Sequence, residues 1–408
     1  MQRHYGLDWL RIGAFGLLIF YHIGMFFVPW GWHVKTAHPI AGVAIPMLAS
    51  HAWRLALLFV VSGYASRALL TRTGEVGSFF RSRSARLLIP LVFGMIVVIP
   101  VQPWIQLSTQ FGYTHGFWYF VAHDYFRFGS LHGIVLPTWQ HLWFVAYLWA
   151  YTALLCGGLA LARARSLQAL FDHLFAGPAA LIVPMAWMIL DKTVLLPGVS
   201  DTYDLFHDLP AHMVYVPAFL FGFGLAGSPA TLQAVGRLWQ PAALLGLASY
   251  ATVAGIEWRW PGLEVPPHWL VIADRVAMAV ETWSPIIAFI GLAERFLNYD
   301  HKWRPMLTEA VFPFYIIHQT VIVVVGWALL PYHLSAPAEF AVLVPATVAG
   351  CWVFYLGGRE VTWLRPLIGL RVAKPAASAK RAVHDDIKQL DLAGPRWSWS
   401  ARAREDCA

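Results

Sequence analysis

Charge is what this sequence has least of. Of its 408 residues, 12% are charged and 58% are hydrophobic, whereas a soluble domain is about a quarter charged and nearer half apolar. Tryptophan (21) and phenylalanine (26) each approach the combined count of lysine and arginine (29). A soluble fold of this length has no interior large enough for that apolar surface. Composition therefore excludes a soluble enzyme, a disordered chain and a nucleic-acid binder. Cysteine is equally scarce. Cys156, Cys351 and Cys407 show no zinc spacing, and the first two lie in apolar stretches, so no disulfide framework or metal site is expected. No cleavable signal is evident: residues 7–27 are too long for a signal h-region, and no A-x-A-like site follows. The period-two alternation of membrane strands is missing too, since runs such as 321–330 are continuously apolar. No internal repeat is detectable, which counts against an inverted-repeat transporter.

What is present is a series of apolar stretches long enough to span a bilayer, roughly 17–25 residues each. They fall near 7–27, 52–70, 87–106, 140–162, 178–196, 212–227, 238–256, 269–293, 306–330 and 338–358. The expected fold is all-α: a polytopic membrane bundle of about ten helices over residues 1–370, then a disordered cytoplasmic tail over 371–408 that touches anionic lipid. The sixth stretch is short and glycine-rich (Phe221-Gly222-Phe223-Gly224), so a break or merger is expected there. With both termini inside, all but six of the 29 basic residues lie on the cytoplasmic side. The exceptions are Lys35, Arg54, Arg127, Lys192, Arg259 and Arg275. The reverse orientation would invert the positive-inside rule. The outer segments 28–51 and 107–139 are rich in Trp, His, Tyr and Phe. That suits interfacial belts and also stacking on sugar rings.

Ionisable residues inside apolar spans are costly and usually have a partner or a task. Arg11 and His22 are 11 residues apart, close to three helical turns, so they share one stripe about 16 Å long. One reading is a snorkelling arginine and a hydrogen-bonded histidine. The other is a polar path across the membrane with His22 as general base. Asp8, three residues before Arg11, is placed to pair with it. Ser62 and Gly63 read as a close helix approach rather than a nucleophile, since no elbow motif surrounds the serine. Arg83 and Arg86, at i and i+3 before Pro90, share a helix face; they are either ordinary positive-inside charge or a phosphate site. His141-Leu142-Trp143-Phe144 opens the fourth span. His318-Gln319 is a polar pair in an otherwise apolar helix and is expected to face the bundle. Asp274 and Glu281 share a face of the eighth span, and Arg275 points away from Asp274.

Taken together, these residues resemble the acyltransferase 3 family of integral membrane acyltransferases over roughly 5–358. The family's arginine and histidine separated by ten residues correspond to Arg11 and His22, and its Arg-x-x-Arg to Arg83 and Arg86. The contexts Leu7 to Arg11, Phe59 to Tyr64, His141 to Phe144 and Tyr315 to His318 also match. Trp32-His33-Val34 and Ser62 to Tyr64 are similar to the glucan biosynthesis protein C branch. The fused SGNH domain of O-antigen acetylases has no counterpart here. The resemblance implies a cytoplasmic acyl-CoA donor and an extracytoplasmic glycan acceptor at the inner membrane of a bacterium. Arg83 and Arg86 would hold CoA phosphates, and Arg11 would neutralise charge along the path or steady the pantetheine end. His22 would deprotonate the acceptor hydroxyl or assist attack on the thioester, and His318 would orient the acyl group or stabilise the oxyanion. No bound cofactor or metal is implied, and no oligomeric state. Acetyl and succinyl both remain open; a succinyl carboxylate would want a buried cation such as Arg54 or Arg275.

Two other classes stay in view. A glycan or lipid-linked sugar exporter also needs a polar path and an aromatic mouth. A haem or metal protein is prompted by the 17 histidines. However, His115, His123, His132 and His141 are spaced by 8, 9 and 9, wider than zinc ligand pairs, and only His22 with His318 offers a pair across helices.

Overall fold

Apolar sequence with few β-branched alternations forms helices almost throughout. A computed structural model describes residues 4–161, 164–262 and 264–372. Apart from Arg371 and Val372, the expected tail lies outside these residues. The helices are α1 (Tyr5–Phe27), α2 (Ala44–His51), α3 (Arg54–Thr73), α4 (Val76–Phe93), α5 (Val101–Gln110), α6 (Trp143–Leu161), α7 (Ala164–Leu174), α8 (Ala179–Leu190), α9 (Leu209–Leu225), α10 (Pro229–Arg259), α11 (His268–Phe296), α12 (Arg304–Leu329) and α13 (Ala336–Glu360). One short antiparallel hairpin, β1 (Gly129–Leu131) with β2 (Ile134–Leu136), sits in the 111–139 segment.

About ten helices were expected, with a break or merger at the sixth, and the bundle is of that kind. Six are long and apolar enough to cross a membrane singly, and three bent pairs raise the number to nine. Two of the three bends have a clear local cause. α4 passes through a π-turn at Gly94–Val98 before Pro100 and bends 41° into α5, because proline removes a helical hydrogen bond and clashes with the preceding turn. The glycine-rich sixth stretch ends α9 at Leu225. Ser228 then caps α10, its Oγ accepting the Thr231 N–H at 3.3 Å, with Pro229 at the first helical position. The chain turns 113° there. α4 also starts well before the expected third span, so Arg83 and Arg86 lie within a helix rather than in a loop.

Packing is backbone-close where small residues allow it. α3 and α9 run side by side. A Cβ on Gly63 would strike the Phe219 carbonyl oxygen, and one on Gly222 the Val60 carbonyl oxygen. Gly63 is therefore a packing residue, as its neighbourhood suggested. α10 lies along α11, α12 along α13, and α1 crosses both α11 and α12. The main apolar core runs from Leu7 and Phe15 through residues 56–61 and 142–148 to Tyr315 and Ile316. A second cluster (Ile23, Phe26, Ile105, Ile322, Val323) fills the other end of α1 and α12. The polar side chains of α1 and α12 face each other between these two cores.

Candidate functional site

The α1 stripe meets α12 at two imidazoles. His22 Nδ1 and His318 Nε2 are 2.9 Å apart, and the ring centroids are separated by 5.0 Å. The other nitrogen of His318, Nδ1, lies 2.8 Å from the Tyr315 carbonyl and 3.2 Å from that of Phe314. Carbonyls only accept, so His318 Nδ1 carries the proton and Nε2 the lone pair. His22 must then donate from Nδ1, which leaves its Nε2 lone pair free. Both nitrogens of His318 are engaged. His318 is fully buried, and His22 is half-buried and turned into the bundle. The two rings meet each other directly.

His141 completes the cluster. Its ring packs at 5.1 Å from His318, and its Nε2–H reaches the Tyr315 and Ile316 carbonyls at 3.1 and 3.0 Å. Tyr315 O–H donates back to the His141 carbonyl. His141 Nδ1 is enclosed without a partner. Nothing in the His115, His123 and His132 set joins it. His115, Tyr119 and His123 stack on one another at 4.2 Å in the outer segment, and His132 stacks on Phe111.

At the other end of the stripe three guanidiniums converge. Arg11, Arg83 and Arg86 lie within mutual electrostatic reach. Arg83 Nε is buried without a hydrogen-bond partner. Gathered guanidiniums of this kind make a candidate anion site. Asp8, expected to pair with Arg11, is bonded to Arg304 Nη1 at 2.7 Å, and Asp300 takes Arg304 Nε at 2.7 Å. Arg304 is almost fully buried and needs two carboxylates more than Arg11, which keeps solvent access. Sequence reasoning counted Arg304 only as loop charge.

Sequence reasoning also missed a buried polar chain beside His22. His33 Nδ1 donates to Gln106 Oε1 (2.7 Å), and Gln319 Nε2 donates to His33 Nε2 (2.9 Å) and to Gln102 Oε1 (3.0 Å). Gln102 Nε2 in turn donates to Thr320 Oγ1 (2.6 Å). His33 lies within electrostatic reach of both His22 and His141. Burial pushes His33 down to about 4, so it stays neutral, as its two hydrogen bonds require. The only hints were Gln319 beside His318 and the Trp32-His33-Val34 motif. Two residues on, Lys35 Nζ donates to the Met25 carbonyl at 2.6 Å and to the Val28 carbonyl, capping the negative end of α1. Burial lowers its pKa to about 8.

Arg54 is buried and stacks 3.3 Å over the Tyr21 ring, next to His22. Its Nη1 donates to the Ser50 and His51 carbonyls at the end of α2 (3.3 and 2.9 Å). Its Nε has no partner, and no carboxylate lies within ion-pair distance among the described residues. Asp274 and Glu281 share a face of α11 as expected and feel each other's charge, with Glu281 Oε1 enclosed and unpartnered. Arg275 turns instead toward Gly198.

The family model described as an acyltransferase domain matches residues 4–356. Glucans biosynthesis protein C of Escherichia coli O157:H7 (strain EC4115) is 22% identical over 349 residues, covering 82% of this chain and 86% of that protein. The protein of the same name from strain 536 is 27% identical over 137 residues, covering 31% of this chain and 35% of its own length. No solved structure matches.

Proposed function

The chain belongs to the acyltransferase domain family, and from that premise we propose that it moves an acyl group from acyl-coenzyme A to a glycan hydroxyl across a bacterial inner membrane. The N-terminal end lies in the cytoplasm, as the basic residues favour. The arginine end then faces the cytoplasmic acyl-CoA pool, and His22 faces the extracytoplasmic half. The glycan acceptor follows the name of the Escherichia coli relatives. The acyl group is a small one, acetyl or succinyl.

One observation carries the reading: an imidazole with a free lone pair, backed by a second imidazole, on the same helix stripe as Arg11, which gathers with Arg83 and Arg86. Arg83 and Arg86 hold the CoA phosphates, and Arg11 draws the pantetheine arm up the stripe, about 16 Å at 1.5 Å per residue. His22 Nε2 takes the proton from the acceptor hydroxyl as its oxygen attacks the thioester carbonyl. The C–O bond forms, the C–S bond breaks, and the His22 proton returns to the departing CoA thiolate. His318 is a positioning residue. It fixes the His22 tautomer and accepts a stronger hydrogen bond once His22 becomes imidazolium, the role a carboxylate plays in a Ser-His-Asp triad. With both nitrogens occupied it has no donor for an oxyanion.

The test uses purified protein with radiolabelled acetyl- or succinyl-CoA and a glucan acceptor. Labelled glucan forms with the parent protein and not with His22→Ala. Transfer undiminished in His22→Ala would overturn the role of that residue. Acceptor movement across vesicles without acyl-CoA would favour an exporter instead.

A further inference from the structure

The loop of residues 196–208 before α9 is built around a carboxylate that the proposed chemistry at His22 does not use. Asp208 is fully buried. Its Oδ1 accepts the Thr202 N–H (3.0 Å), and its Oδ2 accepts the Tyr203 N–H (2.9 Å) and the Tyr147 O–H (2.7 Å). The Trp139 indole N–H closes on the Tyr203 carbonyl at 3.1 Å. This clamp holds Tyr203 at φ 56°, a left-handed conformation that bulky residues avoid. Such strain persists only where the surroundings enforce it, and it clusters at ligand sites.

What the strain achieves is the placement of one ring. Tyr203 is left 48% exposed, with its centroid 5.0 Å from Trp143 and the planes tilted by 42°. Trp143 packs on Tyr215 at 5.8 Å, and Tyr215 O–H donates to Asp201 at 3.5 Å. Burial, and then the Asp201 charge, push the Tyr203 hydroxyl up to about 12 against the pull of Arg54. The hydroxyl therefore keeps its proton, and both charged groups act on it electrostatically. Arg54, with its unpartnered Nε, stacks on Tyr21, the neighbour of His22. Trp143 is two residues from His141, so one turn of chain joins the aromatic pair to the histidine cluster.

The exposed Tyr203 ring, backed by the buried Trp143, suits one face of a sugar ring, with the Asp201 carboxylate two residues away. A sugar's C–H face packs on such a ring, and its hydroxyls can donate to a carboxylate. We propose that Tyr203, backed by Trp143, forms the saccharide subsite that presents the acceptor hydroxyl to His22. This rests on the acyl-transfer reading and adds the place where the acceptor is held.

Tyr203→Gly separates placement from fold, because glycine adopts φ 56° freely. The expected result is an acceptor KM raised tenfold or more and an unchanged acyl-CoA KM. The melting midpoint is equal or higher. Tyr203→Trp keeps the acceptor KM near the parent value. An acceptor KM within twofold of the parent in Tyr203→Gly would overturn the subsite, as would a fall in the melting midpoint together with every kinetic parameter. Titrating tryptophan fluorescence with a glucan oligosaccharide, in the absence of acyl-CoA, tests the subsite independently of transfer. Quenching that Tyr203→Gly abolishes supports the subsite even if no acyl transfer is found, and equal quenching in both proteins rejects it.

Discussion

His22 and His318, 296 residues apart in sequence, share a single hydrogen bond of 2.9 Å, and its direction is set by carbonyls that neither histidine chose. Because Tyr315 and Phe314 carbonyls take the Nδ1 proton of His318, His22 donates from Nδ1 and is left with its Nε2 lone pair unengaged. A single tautomer of the pair is thus selected by the backbone of α12.

That direction predicts graded effects of substitution. His22→Ala should lower kcat about 10²- to 10⁴-fold, the range of a lost general base, with acyl-CoA KM little changed. His318→Ala should cost less and shift the pH–rate profile. His318→Gln should restore part of the rate, because a side-chain carbonyl can still accept the His22 Nδ1 proton. Steady-state kinetics over a pH series read all three, and a profile that does not shift in His318→Ala would remove the positioning role.

At the arginine end the effect should fall on the donor. Arg83→Ala should raise the acyl-CoA KM roughly 10- to 100-fold, as expected for a lost charge-assisted hydrogen bond of about 1.5–3 kcal/mol. The KM should climb with ionic strength in the parent and less steeply in the variant. Dephospho-CoA thioesters should show a smaller penalty from the substitution. Equal loss with both donors would place the arginine off the phosphate.

His33 should make stability depend on acid. Its pKa is about 4 in the folded protein and about 6.5 in an unfolded chain. Between those values the unfolded chain holds more protons, so stability falls as pH drops from about 6.5 to 4 and levels off below. His33→Gln should flatten this part of the melting curve measured in detergent. A parent and variant with parallel pH dependence would assign the acid sensitivity elsewhere.

Where α3 meets α9, added volume has nowhere to go. Gly63→Ala and Gly222→Ala should each destabilise the protein by about 1–3 kcal/mol, read as a lower melting midpoint. Gly77→Ala, where a Cβ meets nothing within 4 Å, should be neutral or slightly stabilising.

The parts of this arrangement that were legible in the sequence are those written in a short period. Arg11 and His22 are legible because 11 residues is nearly a whole number of turns. Arg83 and Arg86 are legible for the same reason, and His318 because a polar residue in an apolar helix must face inward. What could not be read are choices between distant partners. Asp8 had Arg11 within one turn, yet it bonds to Arg304, which is buried more deeply and gains more from a carboxylate. Gln102, Gln106 and Gln319 look unremarkable singly and become a chain only when α5, α12 and the His33 loop are brought together. The strained Tyr203 leaves no trace in composition, because its conformation is imposed by Asp208 from five residues away.

The notches at Gly63 and Gly222 also bear on how substrates enter. The two contacts lie one turn apart on each helix and form a single close crossing, which fixes the distance between α3, with Arg54 at its head, and α9, which carries Tyr215. Any opening that admits an acceptor has to come from the softer joints around that crossing: the π-turn at Gly94–Val98 and the sharp corner before Pro229.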